Sequence, residues 1–156
     1  MARWLMKSEL DVYPWSQLVK DNRTHWDGVR NYQARNFMRD SMKVGDLILY
    51  YHSNCKPPHV AGVAKVVKEG YPDHTSWDPN SKYMDEKSTP ESPRWFMVDI
   101  APVVEMDAVP LDSLRQNGDL EGMALLARGQ RLSVQPVEDD HFRICLLYTS
   151  DAADED

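Results

Sequence analysis

The sequence predicts an α+β domain in which a mostly antiparallel, curved sheet forms a half-open β-barrel with helices at its periphery. Strand-like segments occur near both ends of the chain, and helical spacing of apolar residues occurs only between strands. Two long strand-like segments also follow each other directly near the middle of the chain. A chain of 156 residues is long enough to bury one core without disulfides or metals.

In the first third of the chain, strand patterns and helix patterns alternate. Residues 3–9 predict a first strand, and residues 13–22 have a proline ahead of apolar residues at helical spacing, which predicts a short helix. Asn31 is a candidate N-cap for an amphipathic helix that ends before Gly45. Residues 43–53 predict a turn and then a strand that is apolar on both faces, hence central in the sheet.

The rest of the chain contains further strands and one long loop. Residues 59–70 predict another strand, and residues 71–93 are rich in polar residues and predict a loop. Residues 94–106 predict a third long strand, and Pro110 marks the first position of a helix. The remaining segments predict a turn with a short strand over residues 125–137 and a closing helix or strand over residues 138–146.

Composition places the chain among ordinary globular proteins, with 42% hydrophobic and 28% charged residues. Arg3 and Lys7 interrupt the N-terminal apolar residues, so no signal peptide is expected. No apolar run approaches the ~20 residues that cross a bilayer. Cys55 and Cys145 form no paired pattern, which favours a reducing compartment. We therefore expect a cytoplasmic protein if the source is bacterial and a nuclear one if it is eukaryotic.

The net charge of -7 argues against a general nucleic-acid coat protein, which would be basic. More than half of that charge comes from four acids near the C-terminus, so the remaining domain is nearly balanced and could carry a local basic face. We expect a domain over residues 1–147 and an acidic tail over residues 148–156 that is disordered or non-native and has no function.

No catalytic constellation is recognisable in the sequence. His52, Cys55 and His59 lie close together, but three ligands on one short segment without a second cluster do not close a tetrahedral metal site. The glycines form no phosphate-binding pattern. The carboxylates Asp85 and Glu86 are interpreted as solvated loop charges. We expect no enzyme activity, no metal and no cofactor.

The five tryptophans divide into two groups. Trp4, Trp15 and Trp95 lie in apolar segments and are predicted to be core residues. Trp26 and Trp77 are each flanked by polar residues and an aspartate, which leaves a core role and a pocket-wall role as equal alternatives.

Five segments in a fixed order carry a family resemblance: LMKSE, WDGVRNYQARNF, VGDLILYYHS, DPNSKY and RGQRLSVQPV. Together they resemble the EVE domain family, which has a PUA-like fold and is related to YTH domains. The resemblance covers residues 3 to about 146. This chain has Leu10 where the family usually has a proline.

The resemblance implies a pocket that accepts a flipped or single-stranded modified base. The expected ligand is nucleic acid that carries a modified cytosine in DNA or a modified base in RNA, and no membrane partner is expected. The positions that match the motifs and would line the pocket are Lys7, Ser8, Glu9, Trp26, Asp27, Asn31, His52, Ser53, Trp77 and Tyr83. Four basic residues could contact phosphates, although a solvated basic face is an equal alternative: Arg30, Arg35, Arg39 and Lys43.

Stacking on Trp26 would contribute ~1–3 kcal/mol per base, and polar groups would then pair with the base edge. Two other classes of function stay open. One is an enzyme that acts on a modified base, with Glu9 or Asp27 as acid or base. The other is a pocket for a small metabolite or a protein partner.

Overall fold

The computed structural model describes residues 1–129 and 131–147. Its centre is one open sheet of six strands in the order β2-β5-β4-β3-β1-β6. The strands are β1 Arg3–Glu9, β2 Thr24–His25, β3 Leu47–Ser53, β4 His59–Pro72, β5 Phe96–Pro110 and β6 Val134–Pro136. The predicted α+β half-open barrel is confirmed.

The pairing of β1 with β3 is parallel, while β6, β2, β4 and β5 pair antiparallel with their neighbours. A parallel pair needs a long crossover, and the chain between β1 and β3 supplies one that contains helices α1 (Trp15–Asp21) and α2 (Tyr32–Asn36). Register shifts along β4 and β5 mark irregularities that bend these two long strands. The sheet is therefore mixed and curved, as well as mostly antiparallel.

The helices begin close to the predicted positions. Asn31 caps α2 by accepting a hydrogen bond from the Ala34 N–H at 3.0 Å, and the helix continues as a π-helical turn over Phe37–Ser41. Pro110 ends β5 and precedes helix α3 (Leu111–Arg115), so its predicted place inside the helix is wrong by one residue. The C-terminal segment forms helix α4 (Asp139–Leu146).

Buried side chains form one apolar cluster on each face of the sheet. Alternation along β3 places Tyr50 in the first cluster and Leu49 and Tyr51 in the second, which confirms the prediction of a central strand. In the first cluster, Trp15 packs so closely on Gly62 that a Cβ there would lie 2.5 Å from its ring. None of the helices in the described ranges is long and apolar enough to cross a membrane.

Candidate functional site

A cavity of about 770 Å³ opens at the end of β1. Its wall is built by the end of β1 and the turn after it, the segment from β2 to Arg30, the loop before β5 and the residue before β6. The lining residues are Lys7, Ser8, Glu9, Val12, Tyr13, Thr24, His25, Trp26, Asp27, Gly28, Val29, Arg30, Lys82, Tyr83 and Ser133.

Trp26 belongs both to the core and to the cavity wall. It is 9% exposed and lies in the apolar cluster on that face of the sheet. Its ring meets Tyr50 edge-to-face, with centroids 5.5 Å apart and an interplanar angle of 85°. The two roles suggested by the sequence are therefore not exclusive.

The end of β1 is fixed by hydrogen bonds behind the cavity wall. The hydroxyls of Ser8 and Tyr50 both donate to the Tyr13 carbonyl, at 2.8 and 2.7 Å. The Asn54 amide donates to the Glu9 carboxylate at 2.7 Å. Half-buried Lys7 has a pKa lowered by burial. Ser8 therefore has a structural task that limits the directions in which its hydroxyl can serve a ligand.

Asp27 presents an available acceptor to the cavity. Its side chain is half-buried, and among the described residues no group donates a hydrogen bond to its carboxylate or forms an ion pair with it. A cavity carboxylate in this state can accept hydrogen bonds from an amino group of a ligand.

The part of the wall that contains Gly28 and Arg30 is held by Asp73, which is fully buried. Its carboxylate accepts from the Gly28 N–H at 2.9 Å, from the Arg30 guanidinium at 3.0 Å and from the Thr75 N–H at 2.9 Å. Burial alone would raise the pKa of Asp73, but hydrogen bonds from Thr75, Gly28 and Arg30 hold it below its ordinary value. The ionised carboxylate thus ties the loop before β5 to the segment after β2.

Tyr83 closes the cavity over Gly28. Its carbonyl accepts two hydrogen bonds from Arg30, at 3.0 and 2.7 Å. A Cβ at Gly28 would lie 2.7 Å from the Tyr83 ring, and Gly28 has a φ of +81°. Only glycine satisfies both the close approach and the backbone conformation.

The structure brings together six of the ten predicted pocket residues: Lys7, Ser8, Glu9, Trp26, Asp27 and Tyr83. The other four lie outside the cavity wall. Asn31 caps α2, Trp77 is half-buried in the loop before β5, and Ser53 ends β3. His52 is buried at the start of α1, where its Nε2 accepts a hydrogen bond from the Trp15 N–H at 3.1 Å.

The four residues predicted to contact phosphates differ in their surroundings. Arg30 lines the cavity but is engaged with Asp73 and the Tyr83 carbonyl. Arg35 donates to the Arg94 carbonyl at 2.8 Å, and Arg39 pairs with Asp40 at 2.8 Å. Lys43 lies 3.7 Å from Glu69. Arg30 is therefore a structural brace of the site.

Sequence reasoning missed several lining residues. The Lys7 N–H donates to the Ser133 carbonyl at 2.9 Å, a contact that depends on the pairing of β6 with β1. His25 reaches the cavity because β2 pairs with β5, and no pattern in the sequence predicts that two-residue strand. Lys82 could have been included, since it lies within the same motif as Tyr83.

The described residues contain no group of three or more His, Cys, Asp or Glu side chains that could hold a metal ion. The Cys55 sulfur lies 3.9 Å from Nδ1 of His59, whereas Nε2 of His52 accepts the Trp15 N–H. Contacts within the protein therefore occupy the three residues that lie close together in the sequence, His52, Cys55 and His59.

An open α+β barrel with a polar and aromatic cavity at the end of its first strand defines a PUA-like domain. The EVE domain family matches residues 2–147, and the chain belongs to that family.

Thymocyte nuclear protein 1 from Homo sapiens is 42% identical over 169 aligned residues, which span 93% of this chain and 72% of the relative. A crystal structure of a Pseudomonas syringae protein superimposes with a TM-score of 0.89 at 46% identity, over 93% of this chain and 97% of that one. The crystal structure of human THYN1 protein in complex with 5-methylcytosine-containing DNA superimposes with a TM-score of 0.86 at 41% identity, over 94% and 96%.

Proposed function

We propose that this chain is a binding module for DNA that carries a modified cytosine of the 5-methylcytosine class, with the modified base held in the cavity beside Trp26. One observation carries the proposal: the cavity has an aromatic wall and an available carboxylate, in a fold whose human relative was crystallised with 5-methylcytosine-containing DNA. The volume of about 770 Å³ lies within the ~300–1,000 Å³ range of small-molecule sites.

Trp26 supplies the stacking surface in this proposal. Stacking of a base on an aromatic ring contributes ~1–3 kcal/mol and tolerates any base. Because Trp26 also packs on Tyr50, its ring is held in place before the ligand arrives. A fixed ring loses little conformational freedom on binding.

Asp27 supplies the selection for cytosine over thymine. Cytosine has an exocyclic amino group that donates hydrogen bonds, and a carboxylate is a suitable acceptor for it. Thymine has a carbonyl acceptor at that position, which would face the Asp27 carboxylate without a proton between them. Lys7 also lines the cavity, and its ammonium group can donate a hydrogen bond to a carbonyl oxygen of the base.

The methyl group limits how strongly the domain can discriminate. Burial of one methyl contributes ~1–3 kcal/mol, which corresponds to about 10- to 200-fold. We therefore propose a reader of modest selectivity that binds the base without chemical change. Release of free base or a change in its mass on prolonged incubation would instead support an enzyme.

The proposal is tested by calorimetric titration with matched short DNA strands that carry 5-methylcytosine, cytosine or thymine at one position. We expect the methylated strand to bind about tenfold or more tightly than the unmethylated strand. Equal affinities for the three strands would contradict the proposal. The same series in RNA measures the preference between the two nucleic acids.

Asp27→Asn tests the assignment of the base edge. The asparagine amide can donate to the thymine carbonyl, so the preference for 5-methylcytosine over thymine should fall about tenfold or more. Asp112→Asn on α3 removes the same charge from an exposed position outside the cavity wall and serves as the matched control. An unchanged preference in Asp27→Asn would show that Asp27 does not contact the base.

Salt dependence separates the nucleic-acid proposal from a pocket for a free metabolite. If three or four basic residues contact phosphates, the log–log slope of affinity against salt should be roughly -2 to -4. A flat response, together with equal affinity for the free nucleoside, would favour the metabolite alternative.

A further inference from the structure

An aromatic pair lies on the surface where α2 meets the beginning of β5. The rings of Tyr32 and Trp95 stack with centroids 4.8 Å apart and an interplanar angle of 21°. Trp95 is 5% exposed, and its indole N–H donates to Asp85 at 2.7 Å, so it forms a fixed base for the pair. Tyr32 is 50% exposed and forms the outer layer.

The outer face of Tyr32 is not covered by the guanidinium beside it. The Arg35 guanidinium carbon lies 4.8 Å from the Tyr32 centroid and 5.9 Å from the Trp95 centroid. A guanidinium on the far side of Tyr32 would lie about twice the ring separation from Trp95. Arg35 is therefore beside the stacked pair, and Tyr32, which is 50% exposed, presents its ring to solvent.

Two guanidinium groups lie next to this ring. Arg94 donates a hydrogen bond to the Tyr32 hydroxyl at 3.3 Å, and Arg35 donates to the Arg94 carbonyl. In the described part of the chain no carboxylate forms an ion pair with Arg35 or Arg94. Burial is the main cause that lowers the pKa of Arg35, and Arg39 and then Arg94 act in the same direction, while Tyr32 and Asp40 oppose them. A phosphate at this surface could accept hydrogen bonds from both guanidinium groups.

Arg30 connects this surface to the cavity. Its guanidinium carbon lies 5.4 Å from the Trp95 centroid and 5.7 Å from the Tyr83 centroid, and the residue also lines the cavity. A strand whose base entered the cavity would thus leave it close to the Tyr32 ring.

We propose that Tyr32, Trp95, Arg35 and Arg94 form a stacking platform for the nucleotide next to the recognised base in the same DNA strand. The neighbouring base would stack on the exposed ring of Tyr32, and its phosphate would contact Arg35 and Arg94. An aromatic face beside guanidinium groups is the chemistry that binds unpaired nucleotides. The inference rests on the proposed function of the cavity.

A purely structural role for the same residues predicts something different. Arg35 and the stacked rings also fasten α2 to β5, and that role requires neither an exposed aromatic ring nor guanidinium groups that lack an ion pair with a described carboxylate. The two roles are separated by comparing affinity for the nucleoside with affinity for a longer strand.

The test uses the free nucleoside 5-methyl-2′-deoxycytidine and a short single strand that carries the same modified base. We expect Tyr32→Ala to weaken binding of the strand about tenfold and to leave binding of the nucleoside unchanged. An abasic nucleotide next to the modified base should lower the strand affinity of the wild-type protein about tenfold. It should lower the strand affinity of Tyr32→Ala only slightly, because the substitution has already removed the same stacking contact.

Conservative variants strengthen the test. Tyr32→Phe keeps the ring and should retain strand affinity within about twofold. If the hydroxyl contact with Arg94 were the important one, Tyr32→Phe would instead weaken binding of the strand as much as Tyr32→Ala does. Arg94→Gln should reduce the salt slope by about one. Arg143→Gln on α4, an exposed arginine outside the cavity wall, is the matched control and should leave the slope unchanged.

Two results would overturn the platform. One is a Tyr32→Ala protein that binds the strand like the wild type, and the other is an equal loss for nucleoside and strand. If Tyr32→Ala does not fold, Tyr32→Leu keeps apolar contact with Trp95 and removes the aromatic face. If the wild-type protein bound methylated and unmethylated strands equally, the proposed function would be contradicted instead. The platform would still be tested by comparing strands with an intact and with an abasic neighbouring nucleotide.

Discussion

Asp73 illustrates how one residue can organise a binding cavity from outside it. Its carboxylate is buried, does not line the cavity, and receives hydrogen bonds from the segment after β2 and from its own loop. Removing one partner of such a network leaves an unpaired buried charge. The cavity wall that contains Tyr83 therefore depends on a residue that is not itself expected to contact the ligand.

Trp26 allows binding and stability to be separated by substitution. Trp26→Ala should cost ~3–5 kcal/mol of unfolding free energy because the indole is part of the core. Trp26→Leu keeps most of the apolar contact and should cost less stability, yet still lose the stacking term of ~1–3 kcal/mol. Denaturant unfolding and DNA titration on both variants measure the two effects.

Met42→Ala is the control for this pair, since Met42 is buried in the same cluster and does not line the cavity. It should lower stability without changing affinity under conditions in which the protein is folded. A Trp26→Leu protein with wild-type affinity would remove Trp26 from the proposed site.

Gly28→Ala should displace Tyr83. The new Cβ would lie 2.7 Å from the ring, at a φ of +81° that side chains rarely adopt. We expect a loss of about 1–3 kcal/mol of stability and weaker binding of methylated DNA. Gly118→Ala is the matched control, because a Cβ added there would have no atom within 4 Å and the φ of Gly118 is not in the positive range. Equal effects of the two substitutions would contradict the packing of Tyr83 on Gly28.

At the scale of elements, His52 of β3 fixes the end of β1 and the start of α1. Its Nε2 accepts the Trp15 N–H at 3.1 Å, and its Nδ1 lies 3.4 Å from the Ser8 carbonyl. This pattern fits the neutral imidazole with its proton on Nδ1. Burial lowers the pKa of His52, which also favours the neutral form. The turn that lines one side of the cavity is thus held by an uncharged histidine.

Acidification should therefore destabilise the protein through His52. Because its folded-state pKa lies below the ordinary value of 6.5, its contribution is complete above pH 6.5 and is lost as pH falls through the folded-state pKa. In His52→Gln the amide oxygen can accept the Trp15 N–H without titrating. The difference in unfolding free energy between wild type and His52→Gln should change in favour of the variant as pH falls. A pH-independent difference would contradict this role.

At the scale of the whole molecule, the crossover from β1 to β3 decides where the site lies. It brings α1 and α2 over one face of the sheet and places Trp26 between the Tyr50 ring and the cavity. Parallel pairing also sets Glu9 opposite Ser53, so the ends of both strands lie at the same edge. The site is formed at that edge, where the chain leaves β1.

The predicted acidic tail, residues 148–156, lies outside the described residues. Helix α4 ends at Leu146 and the family match ends at residue 147. Residues 148–156 contain no periodic apolar residues that could pack on the domain. Their deletion should therefore cost less than ~1 kcal/mol of stability and leave the melting temperature within about two degrees. A larger decrease would show that the domain extends into this segment.

The sequence alone determined the class of fold and most of the element positions. Apolar periodicity is a local property, so β1, β3, β4, β5 and the cap of α2 at Asn31 could be predicted from short windows. The motifs also indicated a group of residues that line one cavity, because Lys7 to Glu9 and Trp26 to Asp27 are each contiguous in the chain.

Only the tertiary structure decided which residues face the cavity. His52 has the same buried strand context as its neighbours, but it lies opposite Ser8 in the pairing of β1 with β3, and its ring accepts the Trp15 N–H and does not line the cavity. Ser133 and His25 reach the site because β6 pairs with β1 and β2 pairs with β5. Trp26 is both a core residue and a wall residue because the Tyr50 ring packs on it from the core. Such contacts join residues far apart in sequence, so no local pattern encodes them.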